Sequence, residues 1–478
     1  MNDRLKKFLI LLIFILLWQA AAVLINNPIY FASPLETLAE LINKCSDPVF
    51  WNSISGSMVR IICGFFSAVL AGYTGAFLSY KYPFIKDWLY PVVSFFKTVP
   101  VAAITVILLI WWGSEYLVLC LSIMVVFPGI YENMLKGLEN TPSSLLELAD
   151  VFRLDFFSRL LWIYRPAYLP YLYSALSVSL GMAFKSGVAA EIIGLPERSI
   201  GEQLYRDKIY LNTAGVFAWI ITILILSSLT KALITLILNK TKNLPDPCPN
   251  SLGPAKKNLK MIREPGRLSA LTLNDIKKDY DKHPLLNICY TFEAPKVYCI
   301  TGPSGVGKTT LLNMIAGITP ADSGNITPFW SSDKNDFPLS KQNKRNPKIS
   351  MLFQDDRLIP DINILKNLEI TGCPPNHIKA AVNTLIPKAS LNLPVSRLSG
   401  GEKRRVQIIR AILNPSDLVI MDEPFTGLDI ETKNRIVRWI NNNLNNRLLI
   451  FSSHDPADIT CFDDSVLITL ENGSPITR

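Results

Sequence analysis

Six long apolar stretches fill the first half of this 478-residue chain. A helix needs about 20 apolar residues to cross the ~30 Å hydrocarbon core of a bilayer, and most of these stretches have that length. They lie at the N-terminus up to Ile25 and near residues 58–79, 91–112, 116–130, 168–192 and 213–238. The first lacks a small-residue cleavage site, which favours an uncleaved helix over a signal peptide. The pattern predicts an all-α, six-helix transmembrane domain over residues 1–238.

Basic residues are distributed unevenly among the loops between these stretches. Cytoplasmic loops of membrane proteins carry an excess of Lys and Arg. One set of loops holds Arg4, Lys6, Lys7, Lys81, Lys86, Lys136, Arg153, Arg159 and Arg165, and the opposite set holds Lys44, Arg198, Arg206 and Lys208. We therefore expect a multi-pass protein with both termini in the cytoplasm. Topology signals and a solvated surface account for the formal net charge of +9, so we expect no nucleic-acid partner.

The composition changes abruptly after residue 238. Residues 239–266 are rich in proline and lysine and lack periodicity, which predicts an extended linker. From residue 267 to residue 478 the apolar runs become strand-length (KVYCI, KISMLF, DLVIMD and RLLIFSS), with helical patterns between them. This alternation is typical of a mostly parallel α/β domain.

A glycine-rich segment follows the first of these strand-length runs. Its residues are Gly302, Pro303, Ser304, Gly305, Val306, Gly307, Lys308, Thr309 and Thr310. With a strand before it and a helix after it, the segment is typical of a phosphate-binding loop, because glycines let backbone N–H groups approach phosphates closely. We expect Lys308 to reach the β- and γ-phosphates of ATP and the Thr309 hydroxyl to coordinate Mg²⁺.

Two carboxylates end a later apolar run. Four apolar residues precede Asp422 and Glu423, which places both acids at the tip of a buried strand. Opposite a phosphate-binding loop, Asp422 is expected to bind Mg²⁺ and Glu423 to polarise the attacking water. The two motifs together predict a P-loop nucleoside triphosphatase.

The segment LSGGEKRRVQIIRAIL at residues 398–413 resembles the signature motif of ATP-binding-cassette (ABC) proteins. The resemblance runs from about residue 271 to the C-terminus, and it implies roles for further residues. These are Gln354 as the Q-loop residue near Mg²⁺ and the water, Asp429 in the D-loop, His454 as the switch histidine, and Tyr280 as the adenine-stacking ring. Tyr290 and Tyr298 are also near, and any of the three tyrosines could instead be a core residue.

The signature motif also bears on the number of chains. Ser399 and the N–H groups of Gly400 and Gly401 open a helix, where they can bind a γ-phosphate held by a second cassette. The family resemblance implies two cassettes enclosing two ATP molecules, so we expect a homodimer. Glu402 replaces the glutamine most familiar at this position.

The loop at residues 143–166 resembles the cytoplasmic EAA loop of binding-protein-dependent importers. Glu147, Ala149, Ile163 and Pro166 stand at matching spacing. We expect an amphipathic helix that docks into a cassette groove near Gln354, the alternative being a helix lying on lipid. Arg153 stands where the family usually has glycine, so we expect the turn there to be made differently.

Further segments of the first half resemble the importer branch for nitrate, taurine and alkanesulfonates, which includes transporters of a thiamine pyrimidine precursor. They lie at residues 33–42, 57–65, 97–113 and 181–194. The resemblance implies ATP-driven uptake of a small solute through the inner membrane, delivered by a separate extracytoplasmic binding protein. An ABC exporter and a non-transporting sensory ATPase are the alternatives.

Two charged residues fall within the fifth apolar stretch. Burying Lys185 or Glu191 in a membrane is expensive unless the side chain is paired or faces a cavity. They either line the solute path or form structural ion pairs between helices.

Overall fold

The computed structural model describes residues 3–242, 268–280, 283–331, 346–387, 390–462, 464–471 and 474–477. The chain divides into two compact units. The first comprises Met1–Thr141 with Arg165–Pro247, and the second comprises Pro142–Tyr164 with Cys248–Arg478. The segment between the two parts of the first unit therefore packs with the second unit. Residues 243–267, most of the predicted linker, lie outside the described residues.

Helices make up the described part of the chain as far as Lys242. They are α1 (Asp3–Ile25), α2 (Pro34–Cys45), α3 (Pro48–Lys81), α4 (Pro83–Thr98), α5 (Val101–Glu139), α6 (Ser143–Val151), α7 (Phe156–Arg159), α8 (Arg165–Gly194), α9 (Ile200–Ile209) and α10 (Thr213–Lys242). The predicted all-α character is confirmed. Helix α10 continues four residues past residue 238, where the sequence placed the start of the linker.

Four helices in the described part of the chain are long and apolar enough to cross a membrane. They are Pro48–Lys81, Val101–Glu139, Phe156–Gly194 and Thr213–Leu238, and Leu12–Ile25 is a shorter apolar helix. The expected span at residues 91–112 is wrong in its bounds, because α4 ends at Thr98 and α5 begins at Val101. Gly113 then kinks α5 with φ 73° and ψ −179°. Hydropathy averages over such breaks, so it misplaced the boundary.

A buried carboxylate joins three helices of the first unit. Glu191 on α8 is fully buried, and its Oε2 accepts hydrogen bonds from Ser57 Oγ of α3 at 2.7 Å and from the Gly201 N–H of α9 at 3.2 Å. The Ile200 N–H donates in turn to Ser57 Oγ at 2.8 Å. Two unpaired N–H groups at the start of α9 are thereby satisfied.

Arg60 of α3 provides the nearest positive charge, with its Nη1 at 4.0 Å from Glu191 Oε1. The same guanidinium pairs with Glu115 Oε2 at 2.9 Å through Nη2. Lys185 lies exposed on α8 instead. Of the two hypotheses for the fifth stretch, the interhelical ion pair therefore fits Glu191, while Lys185 takes no part in it.

Removing the Glu191 carboxylate should destabilise the first unit. Glu191→Ala leaves the Ser57 hydroxyl and the Gly201 N–H without their acceptor, which costs about 1–3 kcal/mol for each buried group. Glu191→Gln keeps an acceptor oxygen and should lose less. Thermal unfolding of the purified protein in detergent measures both, with Lys185→Met as an exposed control on the same helix. Equal unfolding midpoints for Glu191→Ala and the control would contradict this role.

The second unit contains two sheets. Its strands are β1 (Leu268–Tyr280), β2 (His283–Glu293), β3 (Val297–Thr301), β4 (Ser323–Trp330), β5 (Ile349–Leu352), β6 (Leu418–Met421), β7 (Leu448–Ser452), β8 (Ser465–Glu471) and β9 (Ser474–Thr477). Its helices after residue 268 are α11 (Lys308–Ile315), α12 (Ile364–Glu369), α13 (Pro375–Leu385), α14 (Gly400–Leu413) and α15 (Ile430–Asn443). The smaller sheet is antiparallel, in the order β2-β1-β4.

The larger sheet has the order β5-β6-β7-β3-β8-β9, and all its neighbours are parallel except β8 and β9. The four strand-length runs of the sequence form β3, β5, β6 and β7, which confirms the α/β prediction. Since parallel strands end at the same edge, the segments that follow these strands converge there. Those segments carry the predicted nucleotide-site residues.

Candidate functional site

Three glycines shape the loop between β3 and α11. Gly302, Gly305 and Gly307 have φ of 149°, 84° and 100°, values that favour glycine. At Gly302 a Cβ atom would lie 2.7 Å from the Leu470 carbonyl oxygen. Gly307 caps the N-terminus of α11, so the loop delivers its backbone N–H groups to a helix start. This is the geometry that an anion-binding loop needs.

Lys308 lies within this loop. Its Nζ donates to the carbonyl oxygens of Gly302 at 2.7 Å and Pro303 at 3.2 Å, and only 6% of the residue is exposed. The ammonium group is thus held over the loop by neutral carbonyls. Phosphate oxygens, as charged acceptors, make stronger hydrogen bonds to it than these carbonyls do.

Asp422 follows the fully buried strand β6 and is itself 1% exposed. Its Oδ1 accepts a hydrogen bond from Ser452 Oγ at 2.6 Å. Burial raises the pKa of Asp422, while the hydroxyl groups of Ser452 and Thr309 near its carboxylate act in the opposite direction. Thr309 and Asp422 are thereby brought together as oxygen ligands that suit Mg²⁺. Ser452 was missed by the sequence analysis.

Glu423 and His454 meet beside Asp422. His454 Nε2 lies 2.8 Å from Glu423 Oε1, and the Glu423 N–H donates to Ser452 Oγ at 2.9 Å. Glu423 has φ 50°, a left-handed backbone conformation that costs about 1–3 kcal/mol in a non-glycine residue. The structure thus pairs two of the four residues predicted to be catalytic, the others being Gln354 and Lys308. Strain at this position is typical of functional sites.

A buried arginine of the signature helix α14 links the ends of β5 and β6. Arg404 Nη1 donates to the carbonyl oxygens of Phe353 at 2.6 Å and Gln354 at 3.3 Å. Arg404 Nη2 donates to those of Asp422 and Glu423, both at 2.6 Å. The sequence analysis missed this residue, because in a run of four charged residues nothing local marks which side chain is buried.

The signature motif begins α14 with a capping box. Ser399 Oγ accepts from the Glu402 N–H at 3.4 Å, and Glu402 Oε2 accepts from the Ser399 N–H at 2.9 Å. The hydrogen bonds that the Ser399 N–H and hydroxyl donate to Glu402 Oε2 lower the pKa of Glu402. Glu402 therefore serves as a helix cap at the position of the usual glutamine.

Other predicted residues are placed as follows. Asp429 caps α15 and accepts from the Thr432 N–H at 2.7 Å, so its role towards a second cassette stays a prediction. The side chain of Tyr280 lies outside the described residues. Tyr298 is only 2% exposed, so its ring offers no surface on which adenine could stack. Tyr290 is only partly buried.

A cleft of about 490 Å³ joins several of these groups. It is lined by Gln354, Asp356, Gly400, Gly401, Arg404, Glu423, Thr426 and Gly427. Gln354, the two glycines at the start of α14 and the predicted catalytic residue Glu423 therefore line the same space. Together with the phosphate-binding loop, this arrangement defines the second unit as a nucleoside-triphosphate-binding domain.

The segment Pro142–Tyr164 packs within the second unit. Leu148, Ala149 and Ile163 are 1%, 0% and 2% exposed and belong to one apolar cluster with strands of the larger sheet. Glu147 Oε2 lies 2.6 Å from Arg357 Nη1. The predicted docking near Gln354 is therefore observed, rather than a helix lying on lipid.

Arg153 makes the turn that follows α6. Its φ is 49°, the left-handed conformation that a glycine adopts easily. The expectation that this turn is made differently is wrong, because the arginine adopts the strained conformation itself. Its Nη2 donates to the Pro347 carbonyl oxygen at 3.1 Å, just before β5, and this bond offsets part of the cost.

Family models match both halves of the chain. Residues 61–243 match the family described as binding-protein-dependent transport system inner membrane component, and residues 285–426 match the family described as ABC transporter. The chain therefore joins a permease domain of the binding-protein-dependent type to an ABC-type ATPase domain in one polypeptide.

A curated relative resembles the ATPase half. The molybdenum import ATP-binding protein ModC of Vibrio cholerae serotype O1 is 35% identical over 216 residues, which cover 43% of this chain and 55% of ModC. The chain thus spans about half the length of that relative. Among solved structures, the dimeric post-hydrolysis structure of the ATP-binding cassette MJ0796 with ADP and Pi is 23% identical. The similarity covers 44% of this chain and 97% of that one, with a TM-score of 0.37.

Replacing Asp422 should raise the stability of the metal-free protein and lower its hydrolytic activity. Burial raises its pKa above the ordinary 3.8, so the carboxylate form destabilises the metal-free fold at neutral pH. Asp422→Asn should therefore raise the thermal midpoint without Mg²⁺ at pH 7–8, and the gain should shrink as the pH falls towards about 4. Hydrolysis should fall by about 100-fold or more. A lower midpoint at every pH, or normal hydrolysis, would contradict the assignment.

Proposed function

We propose that the chain is one half of a homodimeric importer, which couples ATP hydrolysis to uptake of a small solute across the inner membrane. The observation that carries the proposal is the Glu147–Arg357 pair at 2.6 Å. This ion pair joins the permease loop to the segment that follows Gln354, so the loop contacts a segment next to the proposed ATP site. Both termini and the ATPase domain would lie on the cytoplasmic side.

Each nucleotide-site residue has a task in hydrolysis. Lys308 and the N–H groups of the phosphate-binding loop would hold the phosphates of ATP. Thr309 and Asp422, with Gln354 nearby, would hold Mg²⁺, which neutralises charge on the phosphates when bound. Glu423 would accept a proton from the attacking water, and His454 would orient the Glu423 carboxylate through the 2.8 Å contact.

A second copy of the chain would complete each site. Ser399, Gly400 and Gly401 open helix α14, and Gly400 and Gly401 line the cleft beside Glu423. In the proposed dimer these groups bind the γ-phosphate held by the partner's loop. Because each chain carries both a permease and an ATPase domain, two chains suffice for two sites.

The solute class rests on the permease half and on a separate binding protein. The sequence resemblance favours a nitrate-like, sulfonate or taurine-like anion, or a thiamine pyrimidine precursor. ModC resembles only the ATPase half, so the molybdenum in its name says nothing of the solute carried here. A binding protein of this class would supply the solute on the face opposite the ATPase domain.

Reconstitution with ATP on the ATPase side tests the direction of transport. Vesicles receive labelled taurine, nitrate or the pyrimidine on the opposite side, each with its candidate binding protein. We expect solute accumulation on the ATPase side together with ATP hydrolysis stimulated by the binding protein. Transport away from the ATPase side would indicate an exporter. ATPase activity without transport, and indifferent to every binding protein, would indicate the sensory alternative.

In the same assay Glu423→Gln should lower hydrolysis by about 100-fold or more while ATP still binds, because only the proton acceptor is lost. The variant should accumulate as an ATP-bound dimer, seen by size-exclusion chromatography with light scattering. An active Glu423→Gln enzyme would contradict the catalytic assignment.

A further inference from the structure

Both terminal nitrogens of the Arg404 guanidinium bind backbone carbonyl groups. Its two terminal nitrogens donate to four carbonyl oxygens, at 2.6, 3.3, 2.6 and 2.6 Å. Two of these oxygens belong to the Q-loop end of β5 and two to the Asp422–Glu423 end of β6. The residue is 8% exposed. Only a guanidinium has a rigid fork that can reach both strand ends at once.

The buried charge of Arg404 has no carboxylate within ion-pair distance in the described part of the chain. Burial accordingly lowers the pKa of Arg404, with Asp422 and Asp356 acting against that effect from farther away. Burying an arginine without an ion pair is unfavourable. Its hydrogen bonds are therefore better explained by the backbone geometry that they fix than by a gain in folding stability, which points to a functional role.

Two of the four carbonyl groups that Arg404 binds, those of Asp422 and Glu423, lie on either side of the Glu423 peptide N–H and Cα. Glu423 is held at φ 50°. Its carbonyl oxygen accepts from Arg404, and its N–H donates to Ser452 Oγ at 2.9 Å. A strained conformation persists only where the surroundings determine it. Arg404 and Ser452 fix this residue from its two ends and so aim the carboxylate at His454.

The same face of α14 continues towards the permease loop. Gln407 Nε2 donates to Asp356 Oδ1 at 2.8 Å, and Arg410 Nη1 donates to the Arg357 carbonyl oxygen at 2.7 Å. The Arg410 guanidinium also lies 5.2 Å from the centre of the Phe152 ring. Residues three apart share a helix face, so one face of the signature helix runs from the docked loop to the catalytic strand end.

We propose that Arg404 is a positioning residue for ATP hydrolysis, which holds Glu423 and Gln354 in register with the signature helix. The inference rests on the proposed ATPase function. It assigns Arg404 no contact with nucleotide. A displacement of the Glu423 carboxylate by about 1 Å can lower the rate by about 100-fold, so the effect should fall on turnover.

Arg447 is a matched control elsewhere in the same unit. It is a partly buried arginine that likewise donates to backbone carbonyls, among them Ile412 at 2.7 Å and Leu444 at 2.8 Å. Burial lowers the pKa of Arg447 to about 10. It ties the end of α14 to the end of α15, away from the cleft. Arg447→Lys therefore loses a comparable set of bonds without touching the strand ends at Glu423.

The test compares Arg404→Lys, Arg404→Gln and Arg447→Lys in the full-length chain in lipid. Turnover, KM for MgATP, binding of a fluorescent ATP analogue and the thermal midpoint are measured for each. We expect kcat of both Arg404 variants to fall by about 10-fold or more, with KM and analogue affinity within about twofold of the unsubstituted chain. Arg447→Lys should show a similar midpoint shift with kcat within about twofold.

Retained kcat in Arg404→Lys and Arg404→Gln, or an equal fall in Arg447→Lys, would overturn the proposal. So would failure of both Arg404 variants to fold or bind the analogue while Arg447→Lys does both, because Arg404 would then be a structural residue. An unsubstituted chain without ATPase activity would instead contradict the proposed function.

Discussion

Burial of the permease loop in the core of the ATPase domain is the constraint on which the rest of the structure depends. The chain leaves the first unit after Thr141 and returns to it at Arg165. Between these points Leu148 and Ile163 are buried among the sheet's apolar residues, and each such side chain is worth about 1.5–3 kcal/mol. Exposing the loop would forfeit that energy, so the loop stays with the ATPase domain.

The parallel sheet brings the predicted nucleotide-site residues together at one edge. Because β3, β5, β6 and β7 end at one edge, the phosphate-binding loop, the Q-loop, the acid pair and His454 converge there. The docked loop and this edge of the sheet are connected by side chains to which the sequence analysis assigned no role. Arg357 binds Glu147, and Arg404 binds the strand ends beside it. A short series of side-chain contacts thus separates the docked loop from the predicted catalytic carboxylate.

The residues predicted for the nucleotide site could be picked out from the sequence because their motifs are local, and the structure places them at one edge of the sheet. A glycine loop needs its glycines in order, and an acid pair needs an apolar strand before it. Arg404, Ser452 and Arg357 were missed because their roles arise from which backbone or carboxylate lies opposite them in the fold. The bounds of the membrane helices were misjudged around residues 91–112, since hydropathy does not register the break before Val101 or the kink at Gly113. The left-handed backbone conformation of Arg153 was also not predicted, because the sequence analysis assigned such turns to glycine.

A charge exchange across the docking pair tests the central claim that this loop couples hydrolysis to transport. Glu147→Arg, Arg357→Glu and the double variant are reconstituted, and the solute moved per ATP hydrolysed is measured for each. The account predicts that each single variant lowers this ratio, because two like charges then replace the Glu147–Arg357 ion pair, whose atoms lie 2.6 Å apart. The double variant should recover much of it. Single variants with an unchanged ratio, or a double variant no better than either one, would contradict the account.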